Sequence, residues 1–292
     1  MERVAAPPRS PLNGSPYRRR PVLVLAAGVL TVALVVGVLV FLRRSDGGGD
    51  PSAGPRPAVT GFWQPAPRTS WQWQLAGAVD QSFNVRVYDI DGFENSATVV
   101  AALHAKGRKV ICYLNVGAAE TFRPDYAAFP AAVLGKGNGW DGERWLDIRQ
   151  TSILLPIMAK RFDLCRTKGF DAVEPDNVDA YANDSGFPLT AADQLRYNRA
   201  IARLAHDRGL SVGLKNDLDQ IPQLVGDFQF AVDEQCAEFS ECDELVPFVQ
   251  QRKAVFHVEY TLKTSAFCPQ TSALGFSSLR KNPHLDAHRE AC

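Results

Sequence analysis

The run GFDAVEPDNVD at residues 169–179 turns abruptly from apolar, β-type residues to a cluster of carboxylates and one amide. Glu174 and Asp176 are two apart, so on a strand both side chains point to one face. Acids sharing a face at the end of a buried strand repel each other and lose hydration, a cost that solvent, a counter-charge or a substrate must relieve. Carboxylates placed this way can donate a proton, accept one, or attack an electrophilic carbon. Other β-type runs end similarly, giving Asp89 and Asp91 in YDIDGF, Asn115 in CYLNVG, Asp147 in WLDI and Asn177 just after Asp176. Later runs add Lys215 and Asn216 in GLKND, Asp233 and Glu234 in VDEQC, and Glu259 and Tyr260 in HVEYT. Any one of these would ordinarily be an ion pair or a helix cap, but their recurrence at strand end after strand end points to one shared site.

The elements that must position them are legible. β-type runs occur at 71–75, 85–90, 109–115, 145–148, 170–176, 210–216, 228–235 and 254–260. Helical stretches separate most of them. One opens at the N-cap Ser96 and stops at Gly107, one spans 153–168 and stops at Gly169, and one spans 190–208 and stops at Gly209. Strand and helix alternation argues for a parallel sheet, and eight such units in this length predict an α/β fold of the (β/α)8 TIM-barrel type. A doubly wound sheet is the alternative. In both, ligands bind at the carboxyl ends of the strands.

Ahead of this domain, residues 21–42 are apolar, Gly or Pro except for Thr31, long enough at ~1.5 Å per residue to span the ~30 Å hydrocarbon core. A cleaved signal peptide is the alternative, although its apolar core is usually only ~7–15 residues. Residues 1–20 carry Arg3, Arg9, Arg18, Arg19 and Arg20, whereas Arg43 and Arg44 sit beside Asp46 and Asp50. That asymmetry predicts a cytoplasmic N-terminal tail, one transmembrane helix, a Gly/Pro/Ser-rich linker at 43–60 and an extracellular domain at 61–292. Six cysteines suit an oxidising compartment. Cys236 with Cys242 would close a short loop and Cys268 with Cys292 would pin the tail, leaving Cys112 and Cys165 either paired or as buried thiols.

Lys plus Arg equal Asp plus Glu at 32 each, so no bulk field favours nucleic acid as a partner. The sequence holds no P-loop, GxGxxG or GxSxG, and its five histidines make no zinc-ligand spacing. An Mg²⁺ site built from Asp89, Asp91, Glu174 and Asp176 stays open, because hard cations take oxygen ligands with little spacing signature. Carboxylates with aromatic neighbours suit carbohydrate chemistry, in which one acid protonates a glycosidic oxygen and the other attacks or activates water. Trp63, Trp71, Trp73 and Tyr113 could stack on sugar rings or pack as core. His257 reads first as a core histidine.

In their order, WQWQL, VYDID, KVICYLNVG, WLDI, GFDAVEPDNVD, GLKN, DEQC and VEYT resemble glycoside hydrolase family 114, the endo-α-1,4-polygalactosaminidase-like barrels. The resemblance spans about residues 62–263, and EPDN followed by EQC is its specific part. It implies a (β/α)8 fold and retaining endo-hydrolysis of α-1,4-linked galactosamine-containing polysaccharide, with no cofactor, no metal and no obligate protein partner. Asp176 in EPDN matches the family's nucleophile and Glu234 in EQC its general acid/base, with Glu174 as the rival nucleophile. Trp73, Asp89, Asp91, Tyr113, Glu174, Asn177, Lys215, Asn216, Glu259 and Tyr260 are the residues expected to meet substrate. Asp233 stands where relatives often carry Asn, which bears on fine specificity. An acidic mouth would favour a cationic amino sugar. A non-catalytic glycan-binding module on the same barrel is the competing function, since fold alone does not guarantee activity.

Overall fold

The computed structural model describes residues 61–292, so the expected tail, membrane helix and linker lie outside the described residues. Among the described residues no helix is long and apolar enough to cross a membrane. The strands in chain order are β1 (Trp71–Gln74), β2 (Val87–Asp91), β3 (Lys109–Asn115), β4 (Ala118–Glu120), β5 (Leu134–Gly137), β6 (Glu143–Leu146) and β7 (Ala172–Asp176). They continue with β8 (Ser211–Lys215), β9 (Phe230–Glu234), β10 (Val255–Glu259), β11 (Ser277–Arg280) and β12 (Glu290–Ala291). One nine-stranded sheet runs β1-β2-β3-β7-β8-β9-β10-β11-β12, parallel throughout except for β12.

The sheet curls into a barrel-like domain. The Trp71 indole N–H donates to the Ser277 carbonyl at 2.8 Å, joining the first strand to the eighth parallel one. The C-terminal segment helps close the seam, where the Leu75 and Ala76 N–H groups donate to the Leu285 carbonyl at 2.9 and 3.2 Å. Side-chain alternation then makes two cores. Inside the curl lie Trp71, Trp73, Val87, Ile111, Ala172, Phe230, Val232, Phe256, Val258 and Leu279. Outside it, Val110, Val173, Val212, Leu214 and Ala231 meet the helices. Phe230 fits the interior because Gly213 has no side chain: a Cβ there would lie 2.2 Å from the ring.

The helices include α1 (Ala97–Ala105), α2 (Thr151–Lys168), α3 (Ala191–His206), α4 (Ile221–Leu224), α5 (Cys236–Phe239), α6 (Val246–Gln250) and α7 (Thr264–Ala273). The expected caps are present: the Ser96 side chain accepts from the Val99 N–H, Gly169 ends α2 at φ 90°, and Thr190 with Asp193 forms a capping box on α3.

Two strand assignments change. The run 145–148 does not enter the curled sheet: β6 pairs antiparallel with β4 and β5 in a separate three-stranded sheet, and β3 pairs directly with β7. The eighth parallel strand is instead β11, SSLR, whose serines disguise it. All three disulfides form: Cys112–Cys165 ties β3 to α2, Cys236–Cys242 closes the loop after β9, and Cys268–Cys292 ties α7 to the end of the described chain.

Candidate active site

At the carboxyl ends of the parallel strands the interior row turns from apolar to charged. Trp73 pairs in register with Asp89, Tyr113 with Glu174, and Asn115 with Asp176, so these residues sit side by side. Of these, Asp89 and Glu174 are fully buried, and no donor other than the neighbouring acid reaches any of their four carboxyl oxygens. Burial pushes both up, Asp89 to about 7 and Glu174 well above the ordinary carboxylate range, with each acid beside the other. The physical consequence is a carboxyl pair that shares a proton at neutral pH.

The single cation among them is Lys215. Its Nζ lies 2.8 Å from Asp176 Oδ1, 2.8 Å from Glu234 Oε2 and 3.9 Å from Glu174 Oε1, and 5.4 Å from the centre of the Trp73 ring. Burial alone would pull this ammonium down, but the carboxylates of Asp176, Glu234 and Glu174 hold it well above the ordinary lysine value. Two oxygens each 2.8 Å from one nitrogen are no further apart than twice that distance. One ammonium thus sits between the two acids and holds their nearest oxygens close together.

Asp176 and Glu234 are the members of this group that open outward, with side chains 16% and 22% exposed against 4% for Lys215 and 0% for Glu174. Asp176 accepts from the Tyr113 hydroxyl at 2.7 Å, Lys215 Nζ at 2.8 Å and the Asn177 N–H at 2.8 Å. Burial would raise its carboxyl, but Lys215 and these donors hold it below the usual range, so it stays ionised. Glu234 takes the Tyr260 hydroxyl on Oε1, and its backbone N–H donates to Asn216 Oδ1 at 3.1 Å.

The chain after each of these strand ends is bent the same way. Asn177, Asn216 and Gln235, which follow Asp176, Lys215 and Glu234, have φ of 61°, 49° and 69°. Left-handed backbone costs a non-glycine residue of order 1–3 kcal/mol and persists where surrounding contacts impose it. Here the turn aims the preceding side chain into the mouth. Gly117 supports the first bend, because a Cβ at that position would lie 1.6 Å from the Asn177 carbonyl oxygen, while the Val116 and Gly117 N–H groups donate to the Asp176 carbonyl, both at 3.1 Å.

The small sheet brings in a residue the sequence reading missed. Glu143, at the start of β6, accepts on Oε2 from Asn115 Nδ2 at 3.0 Å and Asn138 Nδ2 at 2.8 Å. Burial, reinforced by Glu120 and Asp176, raises it to about 7. Glu143 precedes a β-type run instead of ending one, so nothing local marks it.

Other expected residues lie elsewhere. Asp91 accepts from Arg123 at 2.5 and 3.1 Å and from the Phe93 and Glu94 N–H groups at 2.8 Å each, within a buried network that continues through Glu120, Arg161 and Asp125. Glu259 is on the helix-facing side of β10, accepting from His257 at 2.9 Å and from the Ala237 N–H at 2.9 Å. Asp233 shares that outer side on β9, where burial pushes its carboxyl well above the usual range. Trp71 and Trp73 are core, each 1% exposed, so Trp73 supports Lys215 from below. Asp147 pairs with Arg149 at 2.7 Å. Among the described residues the set close enough to share a metal ion is Cys236, Cys242 and His257, whose cysteines are disulfide-bonded; the acids at the mouth form no such set.

The family model of glycoside-hydrolase family GH114 matches residues 52–292. Among solved structures, Ega3 of Aspergillus fumigatus, in a complex with galactosamine, is 40% identical, with a TM-score of 0.77 over 80% of this chain and 99% of its own. The glycoside hydrolase domain of PelA from Pseudomonas aeruginosa shares the fold at 14% identity, with a TM-score of 0.60 over 76% of this chain and 98% of its own. No curated protein sequence is matched. With the match to the family model and the 40% identical neighbour, the chain belongs to glycoside-hydrolase family GH114 and is a glycoside hydrolase.

Proposed function

We propose that this protein is a retaining endo-hydrolase of α-1,4-galactosaminidic linkages in a galactosamine-containing polysaccharide, held on a (β/α)8 barrel. Asp176 is the nucleophile and Glu234 the general acid/base. The observation that carries the reading is the Lys215 ammonium set 2.8 Å from both carboxylates. The galactosamine in the Ega3 complex supports the choice of sugar.

In the first step Glu234, which enters the cycle having taken up a proton from solvent, gives that proton to the glycosidic oxygen as Asp176 attacks the anomeric carbon, breaking the C–O bond and forming a glycosyl ester. One negative charge thereby leaves Asp176 and another appears on Glu234. An ammonium equally close to both stabilises the charge before and after that transfer, at little reorganisation cost. In the second step Glu234 takes a proton from water, which attacks the ester and releases Asp176. Tyr113 and Tyr260 steady the two carboxylates through their hydroxyls. Asp89 and Glu174, out of solvent with a shared proton, form the floor and limit the negative charge beneath Lys215.

The length and apolarity of residues 21–42 and the arginines before them support a single-pass anchor that holds the domain outside the cell. Incubation with amino-sugar polymers, followed by mass analysis, tests the activity: oligomers of galactosamine are expected. Sugar binding without cleavage would leave a glycan-binding module instead.

A further inference from the structure

We propose that Glu143 recognises the free amine of the sugar unit that reacts with Asp176, and so selects deacetylated over acetylated galactosamine. This rests on the glycosidase reading above and assigns to it a residue outside the parallel sheet.

The geometry places Glu143 beside the nucleophile. Asn115 is the register partner of Asp176 on the adjacent strand, and its Nδ2 donates to Glu143 Oε2 at 3.0 Å. Asn115 is itself fixed, because its Oδ1 accepts the Ala118 N–H at 2.8 Å. On the other side Asn138 donates to the same Glu143 oxygen at 2.8 Å and approaches Asn177 Oδ1 at 3.5 Å. Two amides thus hold one oxygen of Glu143, and among the described residues no donor or ion pair takes the other, Oε1. The remaining acids near the mouth are committed: Asp91 to Arg123, Asp89 and Glu174 to each other below the surface, and Glu234 to Lys215 and Tyr260.

The chemistry of the substrate fits this vacancy. In galactosamine the amine is on C2, next to the anomeric carbon that Asp176 attacks, and Glu143, bonded to the residue beside Asp176 in the sheet and close enough to feel its charge, is the acid placed to meet that amine. An ammonium there gains a charge-assisted hydrogen bond, whereas an N-acetyl group brings a neutral, bulkier amide that leaves the carboxylate unpaired. Burial and the nearby acids Glu120 and Asp176 raise Glu143 to about 7, and a bound ammonium would offset that accumulation of negative charge.

The test is calorimetric binding of galactosamine and of N-acetylgalactosamine to the full protein, with steady-state kinetics on galactosamine oligomers. Glu143→Gln keeps the shape and both amide neighbours. It is expected to weaken galactosamine binding and raise KM by roughly tenfold, with the smaller change in kcat and N-acetylgalactosamine binding unaltered. Asn138→Ala, which frees the carboxylate without removing it, should move the same constants in the same direction by less. A fall in kcat at unchanged KM would make Glu143 a proton-transfer group and overturn the inference, as would no change in either constant. If the wild-type protein cleaves the polymer but binds both monosaccharides equally, this inference alone fails. If it neither binds galactosamine nor cleaves its polymers, the underlying glycosidase reading fails as well.

Discussion

Asp89 and Asp91 leave the same strand two residues apart, on the same face, and end in opposite electrostatic situations. Asp91 joins a buried network in which Arg123 and Arg161 tie together Asp91, Glu120 and Asp125 at 2.5–3.3 Å. Asp89 joins a group in which one buried lysine faces Glu174, Asp176 and Glu234. The first cluster is rich in guanidinium donors and has little left to offer a ligand. The second is short of positive charge, keeps a shared proton at its floor and leaves two carboxylates open at its rim. Two buried acidic clusters that begin on one strand therefore differ in what they leave over: one locks the loop after β2 to α2 and the small sheet, and the other leaves unsatisfied charge at the mouth, where the proposed cleavage would take place.

The sharpest way to break this contrast is in the open cluster. Asp176→Asn and Glu234→Gln should each reduce cleavage by about a thousandfold or more with the melting temperature near wild type, as measured by product release and thermal unfolding. Arg123→Met in the closed cluster should do the reverse, costing ~3–5 kcal/mol of stability because carboxylates are left buried without their partner, while the folded fraction keeps its activity. Chemical denaturation paired with rate per folded molecule separates the two. Activity lost in Arg123→Met beyond the unfolded fraction would erase the distinction.

Lys215→Met comes next. It removes the cation that stabilises charge on either carboxylate, for an expected loss of roughly a hundredfold. Lys215 also holds the Asp176 carboxyl below its usual range, so without it Asp176 protonates at higher pH and the acidic limb of the rate profile moves up. A profile with an unmoved acidic limb would contradict that role. The smallest effect is expected at the floor. Asp89 folds with its carboxyl raised to about 7, so it favours the folded state fully below the unfolded carboxylate value, and that contribution is lost as pH rises towards about 7. Asp89→Asn should flatten this slope in pH-dependent unfolding, whereas the slope would persist if Asp89 were ionised throughout.

Much of this was legible from residue order. Alternating strand and helix signals located seven of the eight parallel strands, and the acids at their ends marked the mouth. Two of the three cysteine pairings were also within reach, because short separations favour local closure, whereas Cys112 with Cys165, 53 residues apart, stayed open between a bond and buried thiols. What was not legible depends on partners distant in sequence. Nothing in YDID separates Asp89 from Asp91, since Arg123 becomes a neighbour only through the fold. Glu259 looked like a mouth residue, but the period-two alternation of β10 sends it to the helix side with His257. No α-helix separates β3 from the run 145–148, which the small antiparallel sheet takes up instead, and Glu143 lies just before that run, so it was missed. Strand β11 escaped because Ser277 and Ser278 break its apolar pattern.

The central claim is that Asp176 and Glu234, bridged by one ammonium, act by double displacement. Proton NMR of the sugar end first released from an α-linked galactosamine oligomer tests it most directly. The α anomer, appearing before it equilibrates in water, is the predicted result; the β anomer as first product would contradict the account.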